Sequence, residues 1–284
     1  MDGVLVIDKP AGMTSHDVVD SIRRRFKTRR VGHAGTLDPD ATGLLIVGLG
    51  KATRFLDYAQ RSPKRYLAGA VFGATTTTQD ASGEELSSQI AEIDSADVEA
   101  ALGGFRGDTE QVPPMVSAVK VGGERLYRKA RRGEEVERTA RPITVYSCAL
   151  VDFTAGERPA ATLDITCSAG TYVRTLIHDL GRALGCGAYM SSLRRIENGG
   201  FAEMDARPLD VVGPDDLRPI LDAVKTLPRV TADAEMALAV GHGRSLPPVP
   251  DAPQGEVAIV RDGDLLGVYL NRDDALTAQR VVPS

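Results

Sequence analysis

The chain has no tryptophan, only three cysteines and only four histidines in 284 residues, and each shortage removes a class of answer. Cys148, Cys167 and Cys186 are odd in number and far apart, with no Cys-x-x-Cys pattern and no Cys/His cluster. That argues against a disulfide framework and against a zinc site, and it fits a reducing, cytoplasmic setting. Long apolar runs are missing too; the best candidate, near Leu44, is interrupted by glycine, so no membrane span is expected. The first residues carry no basic leader and no small-residue cleavage site, so no signal peptide is expected. No Gly-Lys-Ser/Thr follows the glycine loop, so its spacing is wrong for a phosphate loop, and no dinucleotide fingerprint appears. Repeats and low-complexity tracts are also absent. Positive charge is in short supply: 34 Lys/Arg stand against 39 Asp/Glu, a net charge of −5. Taken whole, that balance argues against a nucleic-acid partner.

The distribution of charge argues the other way. Residues 1–66 hold 12 cations against 7 anions, and residues 120–142 hold 8 against 4. Residues 79–101 hold 7 anions and no cation. Such polarity allows a basic face on an acidic protein. A solvated mosaic surface is the plainer reading of the same runs. The length suits one large domain and a small one, and 42% hydrophobic residues is ordinary for a globular chain.

The rest is organised around Gly32-His33-Ala34-Gly35-Thr36-Leu37-Asp38-Pro39-Asp40-Ala41-Thr42-Gly43. Glycines let a ligand approach the main chain closely, and Pro39 biases Asp38 toward an extended conformation. Asp38 is therefore expected in a stiff loop at the mouth of the buried strand at Leu44–Gly50. A carboxylate so placed suits a nucleophile or an acid/base group. The competing local reading is a tight turn in which Asp38 accepts backbone N–H bonds.

In chain order, Val4 to Ile7 reads as a strand, and Thr14 or Ser15 caps a helix buried along Val18, Val19, Ile22 and Phe26. That helix ends in Arg23, Arg24, Arg25 and the basic run from Lys27 to Arg30, and cations there favour the helix dipole. A short helix is expected over 52–58, a strand over 65–72, a polar loop over 75–83 and a helix over 93–102. Residues 116–121 and the Gly122-Gly123 turn suggest a hairpin arm, followed by a basic helical piece over 126–133. Strands follow over 143–146 and 161–167. A loop over 170–175 leads to a helix over 176–184, and a further strand covers 191–196. Past a proline-punctuated connector, a helix near 234–240 precedes two strands about Asp262-Gly263.

The central stretch resembles the catalytic motif of the TruB family of tRNA pseudouridine synthases. Asp8-Lys9-Pro10-Ala11-Gly12-Met13-Thr14-Ser15 resembles that family's first motif, Lys64-Arg65-Tyr66 its tyrosine motif, Gly170-Thr171-Tyr172-Val173-Arg174-Thr175 its arginine motif and Ser192-Leu193-Arg194-Arg195 its last. Five short matches in the right order span residues 8–195.

The resemblance implies an α/β (α+β) fold with a mixed, mainly antiparallel sheet flanked by helices and a small C-terminal PUA-like β domain. It implies a catalytic domain over 1–228, with a basic RNA-gripping insertion near 116–142, and a small RNA-binding domain over 229–284. The implied reaction isomerises uridine to pseudouridine at position 55 in the T loop of tRNA, with no cofactor. The N1–C1′ bond breaks, the uracil turns and C5 joins C1′. By the same resemblance Asp38 supplies the carboxylate and Arg174 is its charged partner. Tyr66 stacks on the flipped base and assists proton removal at C5. His33 fills the gap left in the RNA stack, Tyr172 and Leu193 line the pocket, and Lys9 and Pro10 support its walls, with a direct phosphate contact by Lys9 as a further option. His16, His178 and His242 fall outside the chemistry. The implied partner is the tRNA T arm, with no membrane, no obligatory protein partner and a monomeric state. Two other readings are a non-catalytic tRNA-binding or folding protein and a guide-RNA-dependent synthase of the dyskerin type.

Overall fold

The computed structural model describes residues 1–117, 120, 121, 123–125, 132, 134, 136–249 and 251–283. The expected basic helical piece over 126–133 lies almost entirely outside them. The chain divides into two compact units, one made of Met1–Ser62 with Glu197–Ser284 and the other of Pro63–Ile196.

In the first unit, β1 (Gly3–Lys9) is followed by α1 (Ser15–Arg25), β2 (Val31–Ala34), β3 (Thr42–Leu49) and α2 (Leu56–Arg61). β1 and β3 are antiparallel, from Gly3 opposite Leu49 to Lys9 opposite Gly43, and both are buried nearly throughout because each has cover on two faces. Thr14 caps α1: its hydroxyl accepts from the Asp17 N–H while the Asp17 carboxylate accepts from the Thr14 N–H. Val18, Val19 and Ile22 form the stripe that buries against Leu5, Ile7, Leu45 and Val47. The helix expected over 52–58 is instead a 3₁₀ turn at Gly50–Arg54 followed by α2, so the chain bends where a straight helix was expected.

The second unit runs through β4 (Lys64–Phe72), β5 (Ala74–Thr76), β6 (Glu85–Ser88), α3 (Ser95–Leu102), β7 (Gly107–Gln111), β8 (Lys120–Val121), β9 (Glu124–Arg125), β10 (Arg141–Thr154), β11 (Ala160–Cys167), α4 (Val173–Ala183) and β12 (Ala188–Asn198), whose last two residues pass into the first unit. Its strands lie in the order β12-β4-β11-β10-β7. The pairs β4–β11, β11–β10 and β10–β7 are antiparallel. β4 and β11 alternate buried and half-buried residues, as a sheet covered more heavily on one face requires. Leu102, Val145, Leu163, Ile177 and Leu180 converge on that covered face. The expected hairpin arm is present as the β8–β9 pair, Lys120 opposite Arg125. Part of the expected polar loop over 75–83 is ordered as β5, which pairs with β6.

The first unit resumes with β13 (Phe201–Ala202), β14 (Arg207–Pro208), β15 (Arg229–Thr231), α5 (Ala234–Gly241), β16 (Gly255–Arg261), β17 (Asp264–Asn271) and β18 (Leu276–Val281). β14 runs parallel to β1, which makes that sheet mixed. The last four strands form their own sheet in the order β15-β16-β17-β18. Asp262 and Gly263 both take positive φ, 53° and 87°, the two-residue turn whose twist suits a hairpin.

Candidate active site

The eight residues singled out by sequence fall evenly on the two units. Lys9, Pro10, His33 and Asp38 belong to the first, and Tyr66, Tyr172, Arg174 and Leu193 to the second.

Asp38 sits half-buried in the loop from β2 to β3, and His33 is half-buried within β2, opposite Val47. Gly35 and Gly43, with φ of 92° and 97°, bound the loop with backbone shapes that side chains resist. Between them the Ala41 N–H donates to the Asp38 carbonyl, closing a tight turn at 3.1 Å. The loop is also held from outside. Ser15 Oγ receives the Leu37 N–H at 2.8 Å, and Leu37 itself is buried. Gly12 N–H donates to the Pro39 carbonyl at 3.0 Å.

Lys9 makes the strongest of these ties. It is fully buried, and its ammonium donates to the carbonyls of Pro10, Met13 and Pro39 at 2.8, 2.6 and 2.9 Å. An ammonium has three N–H donors, and here each meets a carbonyl. The direct phosphate contact considered for Lys9 is therefore not available in this conformation. Its charge faces inward and welds the first motif to the residue after Asp38.

In the second unit, Lys64 and Tyr66 share the buried face of β4, with 5% and 7% exposure. Arg65 points to the opposite face and grips Asp164 through two donors, Nε at 2.9 Å and Nη2 at 2.7 Å. Burial, and then the neighbouring Arg195 guanidinium, hold the Lys64 ammonium down at about 8. Leu193 is half-buried on β12, the strand beside β4.

Arg174 lies in the first turn of α4, because the helix begins at Val173 and not at residue 176 as the sequence suggests. The reason is a tertiary clamp. The Gln111 side chain accepts from the Tyr172 N–H at 2.8 Å and donates to the Tyr172 carbonyl at 3.0 Å, fixing the backbone where the helix starts. Arg174 is buried, with its guanidinium 5.9 Å from the Tyr172 ring. Its Nη1 pairs with the Asp80 carboxylate at 2.9 Å, and its Nη2 donates to the Val116 carbonyl. Asp80 is itself fully engaged. It accepts from the hydroxyls of Thr78 at 2.7 Å and Ser82 at 2.5 Å. Burial pushes the Asp80 carboxyl up, but the hydrogen bonds from Ser82, Thr78 and Arg174 outweigh it and hold the group below the usual carboxylate range. Next to it, Thr175 Oγ1 donates to the Gln79 side chain at 2.7 Å, so the β5–β6 connection is fastened to the first turn of α4 at two successive residues.

Sequence reasoning missed Asp80, Gln111 and Gln79. Gln111 carries no local signal at all. The polar alternation Thr76, Thr78, Asp80, Ser82 did hint at a carboxylate served by its neighbours' hydroxyls. Among the described residues, no group of three or more His, Cys, Asp or Glu could hold a metal ion, and no helix is long and apolar enough to cross a membrane.

The first unit offers a carboxylate on a braced loop, and the second a buried aromatic ring and a buried guanidinium paired with its own anion. Comparison with known proteins gives these parts a context. The family "TruB family pseudouridylate synthase (N terminal domain)" matches residues 23–173, and "tRNA pseudouridylate synthase B C-terminal domain" matches residues 174–214. The chain is 48% identical over 246 residues to tRNA pseudouridine synthase B of Symbiobacterium thermophilum, covering 86% of this chain and 82% of that one. It is 45% identical over 280 residues to the enzyme of the same name from Thermobifida fusca, covering 95% of each. Among solved structures it resembles a chain of a Cbf5–Nop10–Gar1 complex, with TM-score 0.77 and 27% identity over 99% of this chain and 85% of that one.

Proposed function

Because the chain belongs to the TruB family of pseudouridylate synthases, we propose that it isomerises uridine to pseudouridine at position 55 in the T loop of tRNA. The observation that carries the proposal is the Asp38 loop, braced by Lys9, Ser15 and Gly12 in a protein 45% identical, over 95% of its length, to tRNA pseudouridine synthase B of Thermobifida fusca. Precise placement of a reacting group is worth several orders of magnitude in rate, so a loop fixed at this many points suits a catalytic carboxylate.

The target uridine is flipped out of the RNA stack at a cost of about a few kcal/mol, recovered by new stacking and edge contacts. Tyr66 stacks on the flipped base, Tyr172 and Leu193 line its pocket, and His33 occupies the gap left behind. Asp38 acts at the sugar and base as the N1–C1′ bond breaks. The uracil turns, C5 bonds to C1′, and the C5 proton leaves with Tyr66 assisting. Asp38 must be ionised to do this. Arg174, a guanidinium that stays charged when buried, supplies the positive charge that keeps carboxylate chemistry anionic in a dry site. Lys9 and Pro10 act by holding the loop. Residues 1–228 carry the reaction, the basic segment near 116–142 grips the RNA, and residues 229–284 add a small PUA-like RNA-binding sheet. The enzyme works as a monomer in the cytoplasm without cofactor.

A second reading is the one the sequence left open, a guide-RNA-dependent synthase of the dyskerin type. The identities favour the first reading, 45–48% to proteins named tRNA pseudouridine synthase B against 27% to the chain of the Cbf5–Nop10–Gar1 complex. The experiment is tritium release from a bare tRNA transcript labelled at uridine C5, with no guide RNA and no added protein. Wild type should release tritium and Asp38→Asn should release none while still binding tRNA. Binding without release by wild type would favour the non-catalytic reading, and release only with a guide RNA the dyskerin-like one.

A further inference from the structure

The end of α1 carries six cations in eight residues, Arg23, Arg24, Arg25, Lys27, Arg29 and Arg30, with no anion among them. The structure divides them into two sets. Arg23 pairs with Asp20 at 2.8 Å and donates to the Val31 carbonyl. Arg25 donates to the carbonyls of Leu209 and Val212 at 2.6 and 2.8 Å, and Arg30 to Thr53 Oγ1 at 2.9 Å. These three hold the fold together. Arg24, Lys27 and Arg29 are exposed, and among the described residues their side chains make no hydrogen bond or ion pair. With Arg23 and Thr28 they line an open depression of about 400 Å³. The carboxylate nearest in sequence, Asp20, is already shared between Arg23 and His16.

Lys27 adds an independent observation. The Thr28 N–H donates to the Arg23 carbonyl at 3.2 Å and the Lys27 N–H to the Arg24 carbonyl at 3.4 Å, the paired bonds of a Schellman cap. Lys27 is the residue after the cap, with φ of 50°, a left-handed position that glycine fills without strain and lysine does not. Strained residues persist where something other than stability favours them. Here that residue is one of the cations lining the depression.

We propose that this depression binds phosphates of the RNA backbone through Arg24, Lys27 and Arg29, as an anchoring site apart from the residues assigned to the uridine chemistry. The proposal rests on the reading of the chain as a tRNA enzyme. A protein of net charge −5 that takes a polyanion as substrate needs local positive patches to hold it. Arginine forks match phosphate oxygens in pairs, and a lysine adds a compact charge beside them. β2 links this patch directly to the Asp38 loop. It runs from Val31, two residues after Arg29, to Ala34, four residues before Asp38.

The test uses full-length protein and a tRNA transcript. Affinity is measured from about 50 to 300 mM salt for wild type, Lys27→Gly and the double variant Arg24→Gln/Arg29→Gln, with thermal melting and tritium release alongside. Lys27→Gly should melt no lower than wild type, because glycine suits the position. It should still flatten the plot of log affinity against log salt by about 0.7–0.9, one phosphate contact, and the double variant by about twice that. In turnover the loss should appear in KM. Slopes and KM equal to wild type in all variants would overturn the proposal, as would an affinity loss with an unaltered slope. Failure of wild type to release tritium would instead overturn the enzymatic reading beneath it.

Discussion

Removing the charge of Lys9 should damage both the stability of the fold and the reaction, and the structure sets the scale. The side chain is fully buried and donates to three carbonyls at 2.6–2.9 Å. Lys9→Met keeps most of the stem's volume and deletes all three donors. Hydrogen bonds involving a charged group contribute about 1.5–3 kcal/mol each, so the gross loss is roughly 4–9 kcal/mol. Methionine no longer buries an ammonium, which returns several kcal/mol. The net destabilisation should be about 2–4 kcal/mol, read as a lower urea midpoint by far-ultraviolet circular dichroism. Lys9→Arg should not rescue it, because a planar fork cannot direct its donors at three carbonyls around one point. The Pro39 carbonyl released by the change is one peptide from Asp38. Tritium release at saturating tRNA should therefore fall about 10–100-fold, in line with the cost of a small misplacement of a reacting group. A change below about 1 kcal/mol with wild-type turnover would refute the claim that Lys9 positions the Asp38 loop.

Asp80→Asn removes the anion paired with Arg174 at 2.9 Å and should lower turnover about 10–100-fold with tRNA affinity little altered, measured by single-turnover release and filter binding. Because the Asp80 carboxyl is held below its unfolded value, its contribution to stability is present above about pH 4 and is lost as pH falls through the lower folded value; acid unfolding of Asp80→Asn should lack that component. Burial raises the Cys148 and Cys167 thiols to about 12 and about 11, so with Cys186 also buried all three should resist a disulfide reagent at pH 8 and react together once urea unfolds the chain.

The parts of this fold that could be read from sequence are those whose cause is local. The α1 cap needs only Thr14 and Asp17 three residues apart, and the hairpin of β16 and β17 needs only Asp262-Gly263 between apolar runs. The Asp38 loop was legible for the same reason, since glycine and proline act on their own backbone. Features set by distant partners were not legible. The start of α4 depends on Gln111, 61 residues earlier than Tyr172, and the guanidinium of Arg174 is set by Asp80, 94 residues earlier. β10 runs on to Thr154 where only its first part was expected, because β11 pairs along it through two irregularities in register that break any simple alternation. Lys9 shows the limit most plainly. The resemblance implies that it supports the pocket walls, but a phosphate contact stays open in the sequence, and only the three carbonyls gathered around its ammonium show how it acts as an internal brace.

The same distinction bears on residues 229–284, which composition sets apart as a small domain. One face of their sheet buries Val257, Ile259 and Tyr269 with Val240 of α5, a core the segment makes for itself. The other face contributes Ala258, Val260, Leu265 and Val268 to a single cluster with Val4, Val6, Leu44 and Ile46. Ion pairs of Arg61 with Glu256 and of Arg280 with Asp57 tie its strands to α2. Burying a valine or leucine side chain contributes about 1.5–3 kcal/mol, so Val260, Leu265 and Val268 alone are worth roughly 5–9 kcal/mol to the shared core. That is comparable to the whole stability of an ordinary domain, about 5–15 kcal/mol. A chain stopped at residue 228 should therefore fail to fold cooperatively, exposing the sheet of Val4 and Ile46 and binding a hydrophobic dye. If the truncated chain instead melted cooperatively near the wild-type temperature and released tritium from tRNA, the shared core would be dispensable and the segment a separate appendage after all.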